Sequence, residues 1–171
     1  MEGRDSVSSG LLMSFRIVLE GNTLRFAAAH MATFAGDLEP LHGHNYALSV
    51  EIEGGLTADS WVLDFSEAKA MARAVCRELD HKFLLQAESA LLTAAESAFA
   101  YEITFGDRQY VMPRRDVVEL PIDNTTAERL AEWIAGRLAA EIAARGVSNV
   151  MSINVGVEEA PGQSGWFRRL I

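Results

Sequence analysis

Three of the four histidines in this chain lie close together: His30, then His42 and His44 in Leu41-His42-Gly43-His44-Asn45-Tyr46. In an extended strand, residues two apart face the same side, so His42 and His44 can aim their imidazoles at one point while Gly43 leaves the other side uncrowded. A neighbouring strand end carrying His30 can supply a third nitrogen. Three neutral imidazoles with one position open describe a catalytic zinc site, since closed structural sites use four ligands rich in cysteine. Iron, nickel or cobalt would accept the same nitrogens, whereas magnesium and calcium favour oxygen. The plainer alternative is that His42 and His44 are polar residues on an exposed turn, because short motifs recur by chance.

The elements that must position these residues follow from hydrophobic periodicity. Residues 11–20 and 23–29 are rich in strand-forming types, and Gly21-Asn22 between them is a two-residue hairpin signal, which predicts an antiparallel pair. Tyr46, Leu48, Val50 and Ile52 alternate with smaller or polar residues over 45–53, a third strand ended by Gly54-Gly55. Ala68, Met71, Ala72, Val75 and Leu79 share one face of a helix over 66–79 with Ser66 as its N-cap. Leu130, Trp133, Ile134, Leu138 and Ile142 do the same over 125–144, where Thr125 and Glu128 have the spacing of a capping box and Gly146 ends the helix. Between the helices, residues 101–105 and 108–112 flank Gly106-Asp107 as an inserted surface hairpin bounded by Pro113. Strands over 150–157 and 166–171 complete the chain. This order predicts an α+β domain, an antiparallel sheet with two helices on one face. The uncovered face and edges are left for subunit contacts, so an assembly is expected rather than a monomer.

Composition narrows the function. With 171 residues the chain is long enough for one domain with a core, and 49% apolar and 23% charged residues are ordinary for a globular protein. The formal net charge of −9, with Arg114-Arg115 and Arg168-Arg169 the densest basic runs, disfavours nucleic acid as a partner. Cys76 is the single cysteine, so no internal disulfide forms and a reducing cytoplasm is the simplest home. Residues 1–10 are polar and read as a loose tail without the apolar stretch of a signal peptide, and no apolar run approaches a membrane span. Residues 11–171 then form a single domain with an insertion at about 85–118.

Taken together, Phe26-Ala27-Ala28-Ala29-His30, His42-Gly43-His44-Asn45-Tyr46, Val62-Leu63-Asp64-Phe65, Leu79-Asp80-His81-Lys82, Thr126-Ala127-Glu128 and Val157-Glu158-Glu159 resemble the 6-pyruvoyl-tetrahydropterin synthase and 6-carboxy-tetrahydropterin synthase family. The resemblance covers most of residues 11–171 outside the insertion. It implies a tunnelling fold of ββααββ subunits whose sheets join into a ring, commonly a hexamer, with active sites at subunit contacts. It implies zinc on His30, His42 and His44, a proton-transfer pair in Asp80 and His81, and a pterin anchor in Glu158 with Thr126 nearby. The substrate it implies is 7,8-dihydroneopterin triphosphate. These roles are chemically coherent: a Lewis acid eases alkoxide or enediolate formation, a carboxylate-supported histidine moves protons, and one carboxylate accepts two hydrogen bonds from an amino-pyrimidine edge.

One position departs from the pattern. Relatives of the usual kind carry a cysteine a few residues before the His-Gly-His, and by the closest spacing Leu38 stands there in Gly36-Asp37-Leu38-Glu39-Pro40. Leucine cannot accept a proton. Cys76 falls on the first helix beside Val75 and is expected to be buried and inert. Glu39, one residue on, is the remaining candidate base, and some relatives use glutamate there and cleave the side chain differently. Glu39 as a loop residue without chemistry is the competing reading. The expectation is therefore a zinc-dependent pterin enzyme, either a synthase-like lyase or an aldolase-like side-chain cleaver. The alternative is a catalytically inactive pterin- or purine-binding homologue, and a relative of GTP cyclohydrolase is a weaker third.

Overall fold

The computed structural model describes residues 14–171, so the expected tail and the first three residues of the expected first strand lie outside the described residues. The chain runs β1 (Phe15–Leu19), β2 (Arg25–His30), β3 (Thr33–Phe34), β4 (Asp37–Leu38), β5 (His42–Gly54), α1 (Phe65–Leu79), β6 (Lys82–Gln86), β7 (Thr93–Glu96), β8 (Ala100–Phe105), β9 (Arg108–Pro113), β10 (Val117–Leu120), α2 (Ala127–Ala144), β11 (Val150–Ala160) and β12 (Gln163–Leu170). The main sheet has the order β10-β6-β2-β5-β11-β12, with β1 also paired to β5. Both helices cover one face, where Phe26, Tyr46, Leu48, Val50, Leu130, Ile134, Val155 and Val157 form the principal core. The class is α+β, as expected.

Several local expectations are corrected. Gly21-Asn22 does not make a hairpin: β1 and β2 lie end to end along the same partner, with Leu19 opposite Val50 and Arg25 opposite Ala47 of β5. Leu19 and Leu24, on either side of the turn, are both buried, and the Leu24 carbonyl accepts from the Leu48 amide, so the chain resumes its direction after a local bulge. The sheet is mixed rather than purely antiparallel, because β6 joins β2 in parallel through Ala28–Lys82 and Ala29–Phe83, and β10 joins β6 in parallel. The cap of α1 is Asp64, which accepts from the Ser66 and Glu67 amides, and the cap of α2 is Thr126, not Thr125. A carboxylate at the first of these positions also favours the positive end of the helix dipole.

The expected hairpin of the insertion is β8 and β9, joined through Gly106 at φ +58, and β7 adds a third strand. This small sheet does not merely decorate the surface. Tyr101 and Ile103 pack with Met31, Leu38, Phe83 and Leu85 as a second core. Because successive side chains of β6 alternate, Leu84 enters the principal core while Phe83 and Leu85 enter the second. The insertion therefore packs on the helix-free side of the sheet, beside the chain that leads to His42.

Candidate metal centre and active site

His30 ends β2, and His42 and His44 begin β5, directly alongside: the Cα partners are His30 with His42 and Ala28 with His44. All three share the face occupied by Phe26, Tyr46 and Leu48, by the strand alternation. Their ring centroids are 4.6, 4.9 and 5.2 Å apart, and one nitrogen from each lies within 4.8 Å of the others. Gly43 is required by the packing, since a Cβ there would stand 2.8 Å from the Ala28 carbonyl oxygen.

The hydrogen bonds decide the tautomers. His30 Nδ1 lies 3.1 Å from the Thr125 carbonyl oxygen, and His42 Nδ1 lies 2.8 Å from the Pro40 carbonyl oxygen. A carbonyl only accepts, so each Nδ1 carries the proton and each Nε2 presents a lone pair. Those two Nε2 atoms are 3.2 Å apart. Two bare lone pairs at that distance repel unless a cation lies between them, and tetrahedral zinc with about 2.0–2.1 Å bonds separates its nitrogens by roughly 3.3 Å. Burial, with His42 adding to it, lowers the His30 pKa to about 4, so its ring is neutral and ligand-competent at neutral pH. The residues fit a metal ion. A hydroxyl chain supports His30 further: Thr125 Oγ1 lies 3.2 Å from Nδ1 and donates to Gln86 Oε1 at 2.9 Å. Neither Thr125 in this role nor Gln86 is legible in the sequence, because their contact joins residues distant along the chain.

The structure brings Glu39 to the three histidines and turns Leu38 away. Leu38 is buried in the second core with Met31, Phe83 and Ile103. Burying a leucine side chain stabilises by about 1.5–3 kcal/mol, which opposes any rotation that would bring it to the histidine side. Glu39 precedes Pro40, which restricts it to extended backbone, so its side chain points opposite to that of Leu38. Its Oε2 lies 3.9 Å from His42 Nε2. Cys76 is buried on α1 and burial pushes its thiol up to about 11, leaving it protonated.

A cavity of about 530 Å³ opens over the histidines, lined also by Glu39, Thr126, Glu128, Glu159 and Ser164. Glu158 does not reach it. Glu158 accepts from the Gly162 amide and lines a second cavity with Arg25 and Asn45, which Glu159 borders as well. A register shift between Val150 and Ser152 reverses the alternation of β11, so Ile153, Val155 and Val157 face the helices, and Glu159, at a second shift between Glu158 and Ala160, lines the cavity with the histidines. Glu159 Oε1 and the Tyr46 hydroxyl are buried with no hydrogen-bond partner among the described residues. Burial pushes the Glu159 carboxyl above its usual range; His44 opposes the rise, and Glu128 and Glu39 add to it. Such an unpaired acceptor costs about 1–3 kcal/mol, which a ligand bearing N–H groups would offset. Thr126 sits at the same cavity as the N-cap of α2, whose first turn directs a partial positive charge inward.

Asp80 and His81 pair with each other but not with this cavity. Asp80 Oδ1 accepts from the Ala27 amide at 2.8 Å, and Oδ2 lies 2.9 Å from His81 Nδ1. The Ala27 amide first, and His81 second, hold the Asp80 carboxyl below its usual range. His81 has φ +58 and an 81% exposed side chain, and it lines a cavity of about 640 Å³ with Ala27, Ala29, Gly43 and Asn45 on the helix-free face. His44 alone of the three histidines borders both cavities.

Comparison with known proteins gives the geometry its context. A putative 6-carboxy-5,6,7,8-tetrahydropterin synthase of Methanocaldococcus jannaschii is 32% identical over 149 residues, 86% of this chain and 91% of that protein. A dihydroneopterin monophosphate aldolase of Pyrococcus furiosus is 38% identical over 72 residues, 42% of this chain and 59% of that one. The crystal structure of Plasmodium vivax 6-pyruvoyltetrahydropterin synthase superposes with a TM-score of 0.87 at 34% identity, covering 93% of this chain and 99% of that one. That Plasmodium protein is also known as variants in which a glutamate, described as a catalytic residue, is replaced by alanine or by cysteine. The expected tunnelling fold is thereby established. Residues 22–169 match the 6-pyruvoyl tetrahydropterin synthase family, and with that span and that fold the chain belongs to this family of pterin lyases.

Proposed function

We propose that the chain is a zinc-dependent pterin enzyme acting on 7,8-dihydroneopterin triphosphate or a related dihydropterin, with Glu39 as its base in place of the usual cysteine. The observation that carries this reading is the convergence of Glu39 and Glu159 on the cavity lined by His30, His42 and His44. His30, His42 and His44 would hold the zinc, which would supply Lewis-acid chemistry toward the substrate's side-chain oxygens. Glu159, rather than Glu158, accepts the N–H groups of the amino-pyrimidine edge, and Thr126 borders the same space. Glu39 Oε2 removes a proton from the substrate's side chain. Asp80 holds the Nδ1–H of His81, leaving Nε2 to exchange protons with substrate in the site of an adjoining subunit of a homo-oligomer, a reading favoured by the exposure of the pair. The product is a 6-pyruvoyl or 6-carboxy pterin, or the fragments of an aldolase-type cleavage, and relatives bearing each kind of name are similar to this chain.

Zinc-loaded protein incubated with dihydroneopterin triphosphate, with products identified by mass, tests the reading. Turnover by the native chain and its loss in Glu39→Gln, with zinc content retained, is the expected result. Tight pterin binding by the native chain without turnover would favour the catalytically inactive binding protein instead.

A further inference from the structure

The loop that carries Glu39 is held from two sides by residues outside the metal site. On one side Asn124 brackets β3, accepting from the Thr33 amide at 2.9 Å and donating to the Thr33 carbonyl at 2.8 Å. On the other side Arg108, the first residue of β9 in the insertion, donates to the Leu38 carbonyl and to Asp37 Oδ1, both at 2.7 Å. The same Asp37 oxygen accepts from the Leu38 amide at 2.7 Å. The guanidinium lies 4.7 Å from the Phe105 ring centroid across the hairpin, which fixes the fork in place. Both acceptors lie in the two residues immediately before Glu39, so rotation of the 38–39 peptide would break the Arg108 bond to the Leu38 carbonyl.

We infer that Arg108 is a positioning residue for the base: the inserted hairpin, through Arg108, sets the direction in which Glu39 faces the metal site. The inference rests on the reading of Glu39 as base. Two forked charge-assisted bonds at once hold peptide orientation, which a single point charge does not. Arg108 is partly exposed and belongs to neither core, so its truncation is compatible with folding. A displacement of a reacting group by about 1 Å is enough to cost roughly 100-fold in rate.

The test compares the native chain, Arg108→Ala, Arg108→Lys, Asp37→Ala and Glu39→Gln by hydrogen exchange over residues 33–40 and by the pH profile of kcat with dihydroneopterin triphosphate. In Arg108→Ala, the Glu39 amide, bonded to the Ala32 carbonyl, is expected to exchange faster. Its kcat should fall about 10- to 100-fold with a displaced acid limb, while KM and zinc content stay within about twofold. Arg108→Lys should recover part of the loss. Asp37→Ala should give a smaller loss in the same direction, and it carries the test if Arg108→Ala fails to fold. Unchanged exchange, or faster exchange with native kcat and pH profile, would overturn the positioning role while leaving Glu39 as base. A native chain without turnover, or an active Glu39→Gln, would overturn the base itself and the inference with it, and is recognised because Arg108 is intact in both proteins.

Discussion

Two adjacent glutamates show how one residue's place in a strand decides its chemistry. Glu158 and Glu159 are chemically equal, yet Glu158 holds a turn amide on the helix-free face and Glu159 faces the histidines with a buried, unpartnered oxygen. Replacing Glu159 by Gln is expected to weaken pterin binding by roughly 10- to 150-fold, the range for losing a charge-assisted hydrogen bond of about 1.5–3 kcal/mol. Glu158→Gln should stay within about twofold. Calorimetry with a dihydropterin on the two variants checks the assignment, and equal losses would place the anchor elsewhere. The sequence does not separate Glu158 from Glu159, because plain alternation along 150–157 leaves the end of the strand ambiguous. The register shift near Val150 moves Ile153, Val155 and Val157 to the other face, a second shift follows between Glu158 and Ala160, and no local residue preference announces either. Leu38 and Glu39 repeat the lesson: spacing alone puts Leu38 at the missing cysteine, while a core supplied by the distant insertion withdraws it and leaves Glu39 at the cavity.

At the scale of elements, the grouping of His30, His42 and His44 depends on the close approach of β2 to β5. Gly43 allows it, and His42 and His44 flank that contact on the opposite face. Gly43→Ala is expected to push β2 away and to destabilise the fold by about 1–3 kcal/mol, the usual range for overpacking. Zinc per chain should fall as well, because His30 rides on β2. Urea unfolding and metal analysis of the same samples check both, and native stability with a full complement of zinc would show that the contact yields without cost. The periodic helices and the long third strand are legible in the sequence, since a single apolar face specifies each. The short strands β6 and β10 are not, because five and four residues with little alternation in their burial carry no period. The Gly21-Asn22 signal is real as a turn and wrong as a hairpin: the direction a chain takes after turning depends on the strand available for pairing, and β5 is long enough to serve two partners in line.

For the whole molecule, the helix-free face is polar near β1, β5, β11 and β12, where Arg16 meets Glu51 at 3.1 Å and Arg168 meets Glu53 at 2.7 Å. Such a surface suits water rather than a second core, while the edge strands expose Phe15, Val18, Trp166 and Leu170. If Asp80 and His81 serve an adjoining subunit, mixing subunits of two inactive variants, Glu39→Gln and His81→Ala, should restore about a quarter of the native rate after random reassembly, since a productive site needs one intact residue from each of two chains. A mixture as inactive as its parents would confine the chemistry to one chain. No helix among the described residues is long and apolar enough to cross a membrane. The sequence by itself picked out His30, His42 and His44 as the group that could hold a metal ion, and the α+β class with its two helices, because candidate ligands declare themselves by residue type and helices by their period. Tertiary structure alone decided which carboxylates join the histidines and that Asp80 and His81 stand apart from them, because those choices turn on strand parity and on contacts between residues far apart in the chain.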